Sequence, residues 1–219
     1  ARGARLGDGR GSRQAGCSLS GRPLDSIIRR RRMTRDFLPD PLPPGLVTEL
    51  VDLARRAPSA GFSQGVHFLV LKGGSLAGFW HTTGAQEWFA AHQPGVLRAP
   101  VVILPLADPT AYTARYAEGD KVGHGLDDRD GWPVPFWLTD TAMAVQNLLL
   151  LAEDRGLGAL YFGVFRNSRS ALDELGVPAH VEGVGAVALG VRSPEDRPSG
   201  SASIRSRRPL AEVVHFGHW

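Results

Sequence analysis

The chain has 219 residues, 42% of them hydrophobic, with a single cysteine and a formal charge of +3. That length and composition suit one substantial domain with a sizeable core. One cysteine, Cys17, excludes an intrachain disulfide and a multi-cysteine metal site. No apolar run approaches the roughly twenty residues of a membrane span, and no hydrophobic signal core follows the basic start, so the expected setting is cytoplasmic. The charge is uneven: residues 1–35 hold ten arginines and two aspartates, while the remainder is net acidic. A basic face on the folded body, as nucleic acid requires, is therefore not expected. Any nucleic-acid role is confined to the arginine-rich start.

Residues 1–22, rich in Gly, Ser and Arg without apolar periodicity, read as a flexible basic arm. Residues 23–219 read as a single domain. A short helix is expected over 24–30, with Ile27 and Ile28 on its apolar side. After the prolines of 39–44, Leu46, Val47, Leu50, Val51, Leu53 and Ala54 give the buried face of a second helix, which Pro58 closes. Residues 66–71 read as a strand broken by Gly73-Gly74, and 86–91 as a shorter helix carrying Trp88 and Phe89. Residues 100–106 form a second strand, opening on Val101-Val102-Ile103.

Residues 107–135 resemble neither helix nor strand and read as a lid or substrate-specificity loop, with Tyr112 and Tyr116 as candidate contacts. The clearest element is the helix over 136–155, ended by Gly156. Its middle is apolar nearly all round, which places it in the core or at a twofold interface. A short strand follows at 160–162, then a helix from Ser168 to Leu175 and a strand over 184–191. The tail Val213-Val214-His215-Phe216 is expected to add an edge strand or to cross to a partner. Alternation of these elements favours an α/β or α+β sandwich over a bundle or barrel.

No local hydrolase or metal signature is present. The seven histidines are scattered without a paired-ligand motif. Ser59 and Ser63 lack a nucleophile elbow, and Asp127, Asp128 and Asp130 read as a solvated loop. No catalytic side chain is assigned. Two arginine clusters stand out: Arg29-Arg30-Arg31-Arg32-Met33-Thr34-Arg35 and Arg205-Ser206-Arg207-Arg208-Pro209. Guanidinium forks match phosphate oxygens, so two converging clusters suit a phosphorylated ligand.

Arg31-Arg32-Met33-Thr34-Arg35-Asp36-Phe37 resembles the Arg-Arg-Ser-x-Arg-x-Phe opening of the flavin-dependent nitroreductase family, with Met33 in place of serine. Ala57-Pro58-Ser59-Ala60-Gly61-Phe62-Ser63-Gln64 resembles that family's Ala-Pro-Ser-x-x-Asn-x-Gln-Pro motif, with Phe62 for asparagine and Gly65 for proline. Thr139-Asp140-Thr141, Gly156-Leu157-Gly158 and Arg205 to Leu210 follow in the family's order, so the likeness spans about residues 24–216. The resemblance implies a three-layer α/β/α sandwich around a mainly antiparallel sheet, and a homodimer whose two chains complete each site.

The cofactor it implies is FMN, with NADH or NADPH as transient donor and a small nitroaromatic, quinone or related conjugated acceptor in a ping-pong cycle. The alternatives are a flavin-dependent dehydrogenase of a specialised substrate and a non-catalytic flavin-binding protein. By position, Arg31, Arg32, Met33 and Arg35 would border the ribityl-phosphate, and Arg205 and Arg207 would reach the phosphate from the other end of the chain. Pro58, Ser59, Ala60 and Phe62 would shape the pocket edge. Gln64 would position the isoalloxazine or hydrogen-bond the strand start. Leu157 and Gly158 would lie near the flavin face, with Gly163 a further point of close approach.

Overall fold

A computed structural model describes residues 22–198 and 200–219. The arm expected over 1–22, Cys17 included, lies outside these residues except for Arg22. A five-stranded, wholly antiparallel sheet forms the middle layer: β1 (Val66–Leu71), β2 (Val101–Ala107), β5 (Ala186–Gly190) and β3 (Gly158–Phe162) lie in that order, and the two-residue β4 (Glu182–Gly183) pairs with the end of β2. Side-chain alternation divides the core into two faces. Val101, Ile103, Val187 and Leu189 face α2 (Leu46–Ala54) and α6 (Phe136–Asp154), against Leu50, Val145 and Leu148. Val102, Leu104 and Ala188 face α3 (Gly73–Thr83), α4 (Ala85–His92) and α7 (Ser168–Glu174), against Phe79, Trp80 and Leu172. Each fully buried aliphatic side chain contributes about 1.5–3 kcal/mol by leaving water. The three-layer α+β sandwich is therefore present.

Two helices depart from the expectation. The Gly73-Gly74 pair does not simply break the chain. It opens α3, where Lys72 and Ser75 form a reciprocal capping arrangement and Leu76, Phe79, Trp80 and Thr83 repeat on one buried face. Gly84, at φ 62°, ends α3 and begins α4, so the single short helix expected near 86–91 is the second half of a helical pair.

The expected loop at 107–135 opens with α5 (Pro109–Tyr116). The Asp108 side chain accepts from the Thr110 amide at 2.8 Å, and Pro109 occupies the first helical turn, a capping signal that the sequence contains. Tyr112 is fully buried rather than substrate-facing. It packs edge-on against Trp132 and Trp137 over the start of α6. Of the two roles expected for the tail, the edge strand is absent: 213–216 forms no strand, and its apolar side chains are exposed.

Helix α6 gives Ala144, Val145, Leu148, Leu149 and Ala152 to its own chain's core, while Phe136 and Met143 stay exposed on the opposite stripe. Its end explains Gly156-Leu157-Gly158. The Leu157 amide bonds back to the Ala152 carbonyl at 2.8 Å and the Gly156 amide to Glu153 at 3.1 Å, with Gly156 at φ 72°. This is the helix-ending turn for which glycine is suited. Leu157 is buried in the α2–α6 core. A Cβ at position 158 would lie 2.8 Å from the Thr34 side chain. Both residues are engaged in packing within the chain. Gly158→Ala is expected to destabilise the fold by about 1–3 kcal/mol through overpacking, as read by chemical denaturation.

Candidate functional site

Four arginines within residues 29–32 repel one another unless their charges are met, and two buried carboxylates meet part of that charge. After α1 (Leu24–Arg30), the chain runs along the free edge of β3. There Met33 bridges Ala159, the Thr34 amide donates to the Ala159 carbonyl at 2.9 Å, and the Met33 thioether accepts the Tyr161 amide at 3.4 Å. Asp196 is buried and collects three donors. Its Oδ1 accepts the amides of Arg35 at 2.9 Å and Asp36 at 3.0 Å, and its Oδ2 pairs with the Arg32 guanidinium. Glu153, also buried, pairs with Arg192 at 2.9 Å and Arg30 at 3.5 Å, while Arg192 donates to the Thr34 hydroxyl at 3.0 Å.

Arg30 and Arg32 thus each have a carboxylate partner within the chain, Glu153 and Asp196. Arg31 differs. Its Nη1 is buried and has no hydrogen-bond partner among the described residues. An unpaired buried guanidinium nitrogen is costly and fits an anion supplied from outside the chain.

Beside this segment opens a cleft of about 530 Å³, within the range of small-molecule and cofactor sites. Tyr161, Phe162 and Gly163, from the end of β3, form one wall. Trp88 and Gln93, from α4 and just beyond it, form another, and Arg35 lies at the side. Phe165, 94% exposed, and Arg166 stand at the rim. The Tyr161 hydroxyl donates to the Val184 carbonyl at 2.9 Å, and burial raises its pKa, so it keeps its proton.

Gln93, Trp88, Tyr161 and Phe165 were not among the residues singled out for the site. The Gly156-Leu157-Gly158 motif drew attention to the start of β3, whereas the cleft lies at the strand's other end. Only Gly163 marked that end.

Residues 58–64 form a second, separate feature. They lead into β1, the sheet edge opposite β3, roughly 14 Å away by strand spacing. The loop is held at several points. Ala60 donates its amide to Asp140 Oδ2 at 2.9 Å, the Ser59 hydroxyl accepts the Gln64 amide at 3.0 Å, and Ser63 Oγ donates to the Ala60 carbonyl at 2.6 Å. Asp140 is buried and also accepts the Tyr112 hydroxyl at 2.8 Å. This bond, together with burial, raises the Tyr112 pKa. Arg115 donates Nε to the Gly61 carbonyl at 2.9 Å and grips Asp120 through two 2.7 Å bonds. Pro58, Phe62 and Gln64 are exposed.

Arg205 and Arg207 are exposed on the tail and make no hydrogen bond or ion pair among the described residues, whereas Arg208 turns to Glu212. The chain therefore brings Arg31, Met33 and Arg35 to one edge of the sheet and Pro58, Ser59, Ala60, Phe62 and Gln64 to the other.

A model of the Nitroreductase family matches residues 28–191. The chain belongs to the nitroreductase family. It is 30% identical over 200 residues to an NADH dehydrogenase of Thermus thermophilus, a match covering 84% of this chain and 91% of that one. Over 79 residues it is 39% identical to an oxygen-insensitive NADPH nitroreductase of Salmonella typhimurium, covering 36% of this chain and 30% of that one. A nitroreductase of Desulfovibrio desulfuricans crystallised with FMN shares the fold, with a TM-score of 0.64 at 24% identity, over 90% of this chain and 98% of that one.

Two outcomes test this geometry in the nitroreductase-family chain. Asp196→Ala leaves the Arg32 charge without its carboxylate and two amides unpaired and is expected to cost about 3 kcal/mol in denaturant unfolding. The Asp120 carboxyl, held by its hydrogen bonds from Arg115, is pushed down from 3.8 to about 2. Because the folded value is the lower one, the pair's contribution is present above pH 4 and lost as pH falls through about 2. NMR titration of the Asp120 carboxyl is expected to show that depressed midpoint, and Arg115→Ala to return it towards 3.8.

Proposed function

We propose that this chain is an FMN-dependent oxidoreductase that takes electrons from NADH or NADPH and delivers them to a small nitroaromatic, quinone or related conjugated acceptor. The observation that carries this reading is the buried Nη1 of Arg31, unpartnered among the described residues, in the same segment as Arg35, which lines an aromatic-walled cleft. An anionic phosphate satisfies the first feature and a planar ring suits the second. FMN, when bound, supplies the hydride and electron transfer between donor and acceptor.

The chain's own residues do the rest. Arg31 and Arg35 would hold the phosphate and the adjoining polar part of the cofactor, with Arg205 and Arg207 added from a tail. Gln93 offers an amide that both donates and accepts. Trp88 and the Tyr161–Phe165 wall exclude water and orient flat reactants. Tyr161, the one lining residue besides the arginines that titrates, retains its proton through burial and supplies none.

The same geometry supports a homodimer with shared sites. Two halves of one site on opposite sheet edges cannot meet within a chain, but a twofold pairing brings each against its complement. Exposed Ile204, Leu210, Val213 and Phe216 on the tail, with Phe136 and Met143 on α6, supply apolar surface for such a contact. Residues 117–135, linked to the 58–64 loop through Arg115 and Asp120, are assigned to acceptor selection.

Purified protein is expected to show flavin absorption near 370 and 450 nm, roughly where flavins absorb, and NADH or NADPH is expected to bleach it under anaerobic conditions. Arg31→Ala is expected to weaken FMN binding by about 1.5–3 kcal/mol, the value of a charge-assisted hydrogen bond, as measured by fluorescence titration of apoprotein. Apoprotein that rejects FMN would refute the proposal. Bound flavin that neither donor bleaches would identify a flavin-binding protein instead.

A further inference from the structure

The loop that joins β3 to α7 turns two neighbouring side chains out of the fold. Val164 packs against the core on one side of them. On the other, the Asn167 side-chain amide donates to the Thr82 carbonyl at 3.0 Å. Asn167 stands in the left-handed backbone region at φ 47°, which asparagine enters at little cost. Between these anchors Phe165 and Arg166 are exposed at the rim of the cleft.

Phe165 lies back over Gly163, where a Cβ would come within 2.4 Å of its ring. The bare glycine backbone is what lets the ring sit along the cleft mouth. That ring belongs to none of the hydrophobic clusters of the described residues. Arg166 makes no hydrogen bond or ion pair among them, whereas Arg169 nearby is held by Asp173 and two carbonyls. Charge around the cleft is one-sided. Arg35 and Arg166 line it, and no Asp or Glu is among its lining residues. Beyond its first 35 residues the chain is net acidic, so this positive lining is local.

We propose that Phe165 and Arg166 form a subsite for the adenosine end of the electron donor, the ring against adenine and the guanidinium on the ribose 2′-phosphate, so that the chain prefers NADPH to NADH. This assignment rests on the flavin reading above. A cleft of about 530 Å³ suits one small ligand. With a flavin inside, a dinucleotide can insert its nicotinamide only, and its adenosine end extends over the rim where the two free side chains stand. NADPH differs from NADH by a phosphate of roughly two negative charges. A guanidinium fork recognises that phosphate, and a hydroxyl does not replace it. The aromatic face one residue away suits a purine. Arg35 is committed to the cofactor, which leaves Arg166 for this second anion.

The test uses FMN-loaded wild type, Arg166→Gln and Phe165→Ala, with adenosine 2′,5′-bisphosphate and AMP as probes that carry no redox group. Calorimetric titration is expected to show the bisphosphate binding wild type about tenfold tighter than AMP. Arg166→Gln is expected to bring the two affinities together. Phe165→Ala is expected to weaken both by a similar factor and keep their ratio. In turnover, the ratio of kcat/KM for NADPH to that for NADH is expected to fall about tenfold in Arg166→Gln.

Equal affinity of wild type for the two probes would overturn the proposal, as would a bisphosphate preference that survives Arg166→Gln. So would an Arg166→Gln variant that keeps its NADPH preference but loses turnover of 4-nitrobenzoate relative to nitrobenzene, which would place the guanidinium on an anionic acceptor. Flavin absorbance is read before each titration. Flavin-loaded protein that ignores the 2′-phosphate refutes this subsite alone, whereas wild type that takes up no FMN ends the cofactor reading and this one with it.

Discussion

Asp196 decides which arginines are free to act. Its two oxygens hold the Arg32 guanidinium and the amides of Arg35 and Asp36, so one buried carboxylate fixes both the charge and the path of the segment beside β3. Glu153 does the same for Arg30 and Arg192 from the side of α6. A run of like charges that would otherwise repel is divided into inward-bound members and free ones. Among the described residues Arg29, Arg31 and Arg35 have no carboxylate partner, and Arg35 lines the cleft. Leaving a guanidinium nitrogen buried and unpaired destabilises the protein without its ligand, and binding an anion there removes that penalty.

The sheet imposes the second constraint. Strand order puts β1 and β3 on opposite edges, so the 58–64 loop and the arginine segment are kept apart by two intervening strands. Each half is rigid by itself: one is tied to α5 and α6 through Arg115 and Asp140, the other to β3 and Asp196. Preorganised halves suit a site assembled by docking, because little ordering cost remains when they meet. The exposed apolar tail and the outer stripe of α6 offer the surface for that docking.

Much of this was legible in the sequence. β1 and α6 carry predominantly apolar patterns, and the chain places them where those patterns predict. The two missed helices show how local signals compete. Gly73-Gly74 reads as a breaker, yet it sits in the first turn of α3, where the Lys72 and Ser75 caps compensate. The Asp108-Pro109 cap was outweighed by the polar, proline-rich stretch that follows it. Arg31 and Arg35 stand out in the sequence because their motif is contiguous. Asp196 and Gln93 do not, since Asp196 meets the arginine segment across some 160 positions of chain and Gln93 reaches the cleft only through the folding of α4. Arg32 shows the converse: its place in the motif was clear, but its partner was not. Leu157 and Gly158 stand out in the sequence as a motif, and the structure adds their part in a helix ending and a close approach to Thr34.

The central claim is that each cofactor site is built from two chains. Subunit mixing tests it most directly, with one chain carrying Arg31→Glu and Arg35→Glu, and the other carrying Ala60→Pro, which removes the amide bonded to Asp140. Each variant alone is expected to take up no FMN. After unfolding and refolding together in equal amounts, mixed dimers should regain one intact site each, about a quarter of the wild-type FMN content under twofold statistics. Recovery to that level, by flavin absorbance of the dimer fraction, is the predicted result. Mixed dimers that bind no flavin at all, formed from chains that each fold, would contradict it.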